Sequence, residues 1–460
     1  MAPACILLDR TVAFRSHPQE TEPFDLGERA ERVVGAERAK DLVGATTAEL
    51  PKLSSREDIE ASIAEYLLAM TPDLEIVKPP EISYLTMQRP LSSEPIPNHG
   101  WSLRDGAAAA AADKNLVVLF PGSYRPAYSY NRWYLILDLD ADASSSSSLS
   151  AIPGIRFEYS DCYMTAGYGV VIMTREGGAF VLAELLFDFY HRRRGPWLGM
   201  LCLWQSSLCS WVYKHGELPA EVSRTWKTHM SFPVQSRNMN LFCWVDLRCG
   251  LLLWDLGRHC EVDSSDDLLD LSFVPLPHGS SISDQHPRWS SNPQEYRNMS
   301  CVDGTIKFLN MDGFVERGPI SLVTYALDLD KPPPSWMVDT KLLLEDLWKD
   351  KTFMSKDVPR IPPLYPILST LEHDVVYLAI PGDVEEVEGY WFRGAKLLLS
   401  VNTRKNRVIS ATQQKHPRAL VRWRYILAAS VSHSQLGSKY HQGAVEAIGM
   451  GASGKRMKFE

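Results

Sequence analysis

Asn240-Leu241-Phe242-Cys243-Trp244-Val245-Asp246-Leu247-Arg248-Cys249-Gly250-Leu251-Leu252-Leu253-Trp254-Asp255 is the stretch on which the fold turns. Two apolar runs flank a short polar break ending in glycine, the pattern of strand, turn, strand. Glycine suits such a turn because tight hairpin loops need positive φ, which it adopts without a Cβ clash. Met173-Thr174-Arg175-Glu176-Gly177-Gly178 before Ala179 to Leu185 repeats the pattern, as does Cys301-Val302-Asp303-Gly304 before Thr305 to Asn310. A fourth hairpin, Leu399 to Ile409, carries Asn406 where the others carry Gly. Gly178, Gly250 and Gly304 are therefore read as structural turn residues.

Outward from this hairpin, short runs rich in Val, Ile, Leu, Phe, Tyr and Trp recur from Leu116 onward, cut by Gly, Pro, Asp and Asn. They include Leu116 to Phe120, Val170 to Thr174, Leu198 to Trp204, Leu322 to Asp328, Val375 to Ile380 and Lys396 to Val401. The reading is mainly β. The turn positions lie 72, 54 and 102 residues apart, and the last two approximate one and two units of about 50 residues, a kelch-type propeller period. Residues 105–412 are thus read as a six- or seven-bladed β-propeller-like body, with a β-sandwich as the alternative. Residues 1–104 read as a small N-terminal α/β extension, in which Ile59, Ile63, Tyr66, Leu67 and Met70 mark one amphipathic helix. Prolines between Glu75 and Ser102 suggest an extended connection. Residues 413–460 form a C-terminal segment, flexible at its end. Ala107 to Ala112 and Ser144 to Ser148 are low in complexity, and the serine tract is read as a loop.

The chain has 460 residues, with 48 Lys+Arg against 56 Asp+Glu, so its net charge of -8 argues against phosphate-backbone binding. No apolar run reaches the roughly 18 residues of a membrane span. The start, Ala4 to Leu8, is too short for a secretory signal. Eight cysteines without a CxxC pair fit reduced thiols. The expectation is a soluble protein of the cytoplasm or nucleus, with no nucleic acid and no membrane as partner.

No coherent catalytic set emerges. Gly449 to Lys455 spells a phosphate loop, yet Arg456 replaces the magnesium-binding hydroxyl and too little chain follows for a helix. Asp138 to Asp142 begins like a calcium loop but lacks its glycine and its bidentate glutamate. His259, Cys260, His278 and His286 lack paired zinc-ligand spacing. Asp246, Asp255 and Asp303 border turns, where aspartate bonds its own backbone. Trp197, Trp204, Trp211, Trp244 and Trp254 read as core. Asp383, Glu385, Glu386 and Glu388 read as an acidic surface loop. Arg192, Arg193 and Arg194 form a basic turn, the candidate contact for an acidic partner. Neither a cofactor nor a metal is expected.

The Asn240 to Asp255 run, followed by Phe273-Val274-Pro275-Leu276-Pro277 and Val302 to Phe308, resembles the grass-expanded plant family called domain of unknown function sixteen-eighteen. Ile6 to Arg10, Pro363 to Leu368 and Asp374 to Tyr377 are similar as well. The resemblance implies a likeness to F-box-associated, kelch-like β-propeller domains and a setting in plant stress or reproductive processes, with no catalytic residues to carry over. The expected function is a non-enzymatic protein-interaction module. The alternative is a small-molecule sensor or enzyme with a site built from separated loops, such as those of His259, His278 and His286.

Overall fold

The computed structural model describes residues 3–15, 63–90, 106–121, 133–140, 148–155, 169–187, 197–222, 225–236, 239–257, 268–282, 292–316, 318–387, 390–413, 426–432 and 439–440. The chain is mainly β. Four consecutive antiparallel meanders each pair four strands. They are β9 to β12 (Val170–Thr174, Phe180–Phe187, Leu198–Gln205, Ser210–Glu217) and β13 to β16 (Met230–Gln235, Asn240–Asp246, Gly250–Asp255, Ser272–Pro275). The next are β17 to β20 (Arg297–Val302, Thr305–Asp312, Ser321–Asp328, Ser335–Leu343) and β21 to β24 (Leu364–Leu368, Val375–Val387, Tyr390–Asn402, Arg407–Gln413).

The remaining sheet has ten strands. One half repeats the meander as β5 to β8 (Ala107–Asp113, Leu116–Pro121, Tyr134–Asp138, Leu149–Ile152). The other half joins both ends of the chain: β1 (Pro3–Asp9), β2 (Thr11–Arg15), β3 (Thr71–Glu75), β4 (Ile82–Gln88), β25 (Ile426–Ser432) and β26 (Lys439–Tyr440). β25 pairs along the whole of β1, β1 and β2 pair β4, and β2 pairs β5. The boundary drawn at residue 104 thus falls between strands of a single sheet. Residues from both ends also share one apolar cluster with β5 to β8, in which Ile6, Val12, Val117, Leu135 and Leu427 meet. Of the expected helix, residues 63–68 are helical (α1) and Ile59 lies outside the described residues; Ile63 and Leu67, with Met70 just past the helix, enter the same cluster.

Six apolar clusters hold the molecule together. The first lies between the two halves of the ten-stranded sheet, the next four each take side chains from two sheets that follow one another in the chain, and the last returns from β21 to β24 to the terminal strands. A strand between two clusters feeds both. On β14, Leu241, Cys243 and Val245 face the cluster shared with β17 to β20, while Phe242 and Trp244 face the one shared with β9 to β12. This double burial explains why Asn240 to Asp255 reads as continuous apolar runs without alternation.

The turns are locally as expected but not equivalent in the repeat. Asp303 and Gly304 have φ of 46° and 77° and form a two-residue hairpin with both central residues left-handed. Gly178 (φ 79°) and Asn406 (φ 46°) are left-handed too. Gly250 is not, and its need is steric: a Cβ there would stand 2.5 Å from the Val274 carbonyl oxygen. Moreover, the turns at 178 and 304 join first to second strands, that at 250 joins second to third, and that at 406 joins third to fourth. Their spacing therefore does not measure the repeat. The first strands do: they begin at 107, 170, 230, 297 and 364, and β25 begins at 426, giving intervals of 63, 60, 67, 67 and 62 residues.

After the end of β20 comes a short helix, α2 (Leu344–Lys349), followed by α3 (Lys351–Met354). Asp383, Glu385 and Glu386 belong to β22 rather than to a loop, and Glu388 lies outside the described residues. Ala107 to Ala112, helix-favouring by composition, is strand β5. It pairs β2 and β6, and its small side chains let β9, β13 and β25 approach closely.

Candidate functional site

The consecutive first strands β5, β9, β13, β17 and β21 touch one another in that order, and β25 lies against β5. Among them is a cavity of about 260 Å³, lined by β5, β13, β17, β21 and β25 and reaching the turns of Lys114, Asp303 and Thr370. Its walls mix polar and apolar side chains, and the first strands that line it pair the second strands of their own sheets along their other edge.

Arg10, buried at the β1–β2 turn, reaches the wall at a bulge in β5. The β5–β6 register shifts between Ala109 and Ala111, and Arg10 Nη1 donates to the Ala109 and Ala110 carbonyl oxygens at 2.8 and 2.5 Å. Asp113, at the end of β5, accepts from the Thr174 amide and hydroxyl, each at 2.7 Å. Gln235 donates to the Thr174 carbonyl at 2.5 Å, and Ser231 donates to the Val170 carbonyl at 2.7 Å. These bonds tie β9 to both neighbours while β9 itself stays out of the cavity wall. Across the cavity, Asn298 accepts from the Leu368 amide at 3.3 Å.

Cys301 also lines the wall. Burial pushes its thiol up to about 11, with the charges of Asp113 and Asp303 adding to the rise against backbone hydrogen bonds from Gly304 and Gln235. It therefore stays protonated near neutral pH and is a poor nucleophile. At the rim, the exposed Lys114 has φ 51°, and Asp303 Oδ2 lies 3.2 Å from His373 Nε2. Farther out, Lys307 bonds Asp339 at 2.6 Å and the His373 carbonyl at 2.8 Å. Arg404 bridges Asp339 and Asp374 at 2.8 and 3.0 Å. Burial alone would raise the Asp339 pKa, but its bonds to Lys307 and Arg404 hold it below the usual value. The site is a recess whose wall residues are hydrogen-bonded to neighbouring strands.

The residues singled out in the sequence are not what builds this recess, Gly304 and Asp303 excepted. Arg192, Arg193, Arg194, His259, Cys260, His286 and Gly449 to Lys455 lie outside the described residues. His278 is exposed on a turn. Asp255 accepts from the Gly257 amide at 2.8 Å and Asp138 from the Asp140 amide at 2.9 Å, both local turn bonds. Asp246 does more than cap its turn. Fully buried, it takes two bonds from the Arg248 guanidinium, at 2.8 and 2.5 Å, and lies 3.2 Å from His229 Nδ1. Burial favours its neutral form, but Arg248 and His229 prevail and hold the carboxyl well below the usual range. Asp113, Ser231, Gln235 and Asn298 carry no motif, and no spacing in the sequence would have found them. Among the described residues, no three His, Cys, Asp or Glu gather as metal ligands would, and no helix is long and apolar enough to cross a membrane.

No curated protein matches the chain. Among solved structures it is similar to the polysaccharide lyase Uly1, with 10% identity and a TM-score of 0.33 over 71% of this chain and 77% of that one. It is also similar to Zg3597, a family 117 glycoside hydrolase of Zobellia galactanivorans, with 9% identity and a TM-score of 0.30 over 71% of this chain and 89% of the other. Both likenesses are too distant to transfer an activity. Residues 244–377, from within β14 into β22, match the family described as "Protein of unknown function (DUF1618)".

Proposed function

We propose that the chain is a non-enzymatic protein-interaction module with a six-bladed propeller-like body, whose partner inserts a side chain or short loop into the central cavity. Five blades would be the meanders, and the sixth would be β25, β1, β4 and β3, closed by strands from both ends. The regular 60 to 67 residue spacing of the first strands and the closed cycle of six apolar clusters support this reading. The observation that carries the function is the character of the recess. Asp113, Ser231, Gln235 and Asn298 are occupied in ties between sheets, and Cys301 is kept protonated. Such a wall offers shape and fixed polar groups without an activated acid, base or nucleophile.

The test compares proteins retained by the intact chain with those retained by Ser300→Phe, which fills the cavity, and Lys114→Glu, which inverts charge at its rim. One partner retained near stoichiometry by the native chain and lost with both variants, at unchanged melting temperature, is expected. Equal retention by all three would overturn the cavity as the contact. Turnover of any compound that loses its effect on Ser300→Phe would replace the interaction reading by the enzyme reading.

A further inference from the structure

The bonds that tie the cavity wall to its neighbours use one end of each side chain and leave the other end over. Asp113 uses Oδ2 for both the amide and the hydroxyl of Thr174, at 2.7 Å each. Gln235 uses its N–H2 for the Thr174 carbonyl at 2.5 Å. That carbonyl fixes which end of the Gln235 amide is which, since the reverse would set oxygen against oxygen. Asp113 Oδ1 and Gln235 Oε1 are left without a hydrogen-bond partner among the described residues. Thr174 itself stays out of the wall, so one residue behind it holds two unused acceptors at the cavity.

The same flank carries more oxygen. The Asp303–Gly304 turn abuts Gln235, for a Cβ on Gly304 would stand 3.3 Å from the Gln235 carbonyl oxygen. Asp303 meets His373 through Oδ2 and is 76% exposed, with Oδ1 left over. Pro233 has no N–H to give to β14, so its nitrogen, and with it its carbonyl, stands on the edge of β13 away from β14. The charges of Asp113 and Asp303 both raise the Cys301 thiol, so their fields overlap at the wall. Of the two cations at the cavity, Arg10 gives Nη1 to the carbonyls of the β5 bulge. Lys114 is exposed at the rim and makes no ion pair among the described residues. Asn298 differs from the flank opposite it, with Oδ1 bonded to the Leu368 amide and its N–H2 left over.

We propose that this collar of Asp113, Pro233, Gln235 and Asp303 binds an organic cation rich in N–H donors, which on the interaction reading above is an arginine or lysine side chain of the partner protein. Such a group gives the unused oxygens charge-assisted hydrogen bonds, whereas an inserted acid would set oxygen against oxygen. Among the described residues no three His, Cys, Asp or Glu gather as metal ligands would, which favours an organic cation over a metal ion. The chain's net charge of -8 also draws cations toward it. The sign is the reverse of that expected at Arg192 to Arg194. Lys114, outside the collar, remains for another part of the partner.

The probes are Nα-acetyl-arginine methylamide and Nα-acetyl-lysine methylamide, with the citrulline and norleucine analogues as their uncharged counterparts. Binding to the full chain is read by saturation-transfer NMR on the probe. At least one cation is expected to bind saturably, and at least about tenfold more tightly than its uncharged counterpart. Asp113→Asn keeps an oxygen for Thr174 but puts N–H2 in place of Oδ1. Asp303→Asn removes the second charge with a residue that tolerates the turn's φ of 46°. Each variant is expected to weaken the cation severalfold at unchanged melting temperature and to leave the uncharged probes as they were. Equal binding of charged and uncharged probes would overturn the proposal. So would no binding of any probe by the folded native chain, or a cation held equally well by both variants. A cation that binds while no protein partner is retained would keep the collar and make its ligand a free amine. A cavity-dependent partner beside probes that do not discriminate would overturn the collar alone.

Discussion

Substituting alanine at Gly178 and at Gly250 separates two reasons for glycine that look identical in the sequence. At Gly178, φ is 79° and nothing lies within 4 Å of a Cβ. The cost there is conformational, about 1–2 kcal/mol for a left-handed non-glycine residue. At Gly250 the backbone is ordinary, but a Cβ would meet the Val274 carbonyl oxygen at 2.5 Å and two Phe273 ring carbons at 2.6 Å. Val274 is paired with Leu251 in the β15–β16 ladder, so relief requires moving backbone as well as a ring. Overpacking of a core costs about 1–3 kcal/mol, and an immobile carbonyl places Gly250→Ala at about 3 kcal/mol or above. Asparagine sharpens the contrast because it tolerates the left-handed region. Gly178→Asn is expected to be less destabilising than Gly178→Ala, and Gly250→Asn more destabilising than Gly250→Ala. Urea unfolding followed by tryptophan fluorescence measures the four midpoints, with an unchanged slope as the control for denatured-state effects. If Gly178→Ala costs as much as Gly250→Ala, or if asparagine rescues position 250, the steric account of Gly250 is refuted.

Asp246→Asn leaves the buried Arg248 and His229 without their carboxylate and is expected to cost about 3 kcal/mol in the same denaturation assay. Because folding lowers the Asp246 pKa, its contribution is fully present above the unfolded carboxylate range, near pH 4, and is lost as pH falls through the folded value. Stability measured from pH 6 to pH 2 should therefore fall less steeply in Asp246→Asn than in the native chain. Arg10→Ala leaves the two carbonyl oxygens of the β5 bulge without their charged donor and is expected to lower stability by about 2–3 kcal/mol, with hydrogen exchange rising first in residues 107–113. Trp211 and Trp336 each donate from the fourth strand of one meander to a proline carbonyl at the end of the preceding one, Pro153 at 2.8 Å and Pro275 at 2.7 Å. Phenylalanine at either position should cost about 1 kcal/mol, and the double variant should be additive in thermal unfolding.

Second and third strands were legible in the sequence because both their faces are buried, which writes an uninterrupted apolar run. Leu198 to Trp204 and Leu322 to Asp328 match strand bounds to within one residue. Of the first strands, β9, buried and away from the cavity, was legible as Val170 to Thr174, whereas β13, Met230-Ser231-Phe232-Pro233-Val234-Gln235, was not. β13 lines the cavity, and its polar and apolar residues mix without a period. Ala107 to Ala112 was ambiguous for a related reason: alanine favours helix in isolation, and only close approach by neighbouring strands makes its small size the deciding property. The recess itself left no trace, since Asp113, Ser231, Gln235 and Asn298 come from three strands spread over 186 residues.

By itself the sequence determined the mainly β class, the turns at Gly178, Gly304 and Asn406, and the helix that buries Ile63 and Leu67. These follow from local rules: apolar runs bury, and left-handed turns select glycine or asparagine. The tertiary structure decided what local rules leave open. It set the repeat at 60 to 67 residues by placing unlike hairpins at unlike positions, and it paired residues 3–9 with residues 426–432 across the length of the chain. It also made Gly250 a packing residue and Asp246 the center of a buried charge network. In each case the partner atom lies far away in sequence or on the next strand, and hydrogen bonding and close packing act on distance in space alone.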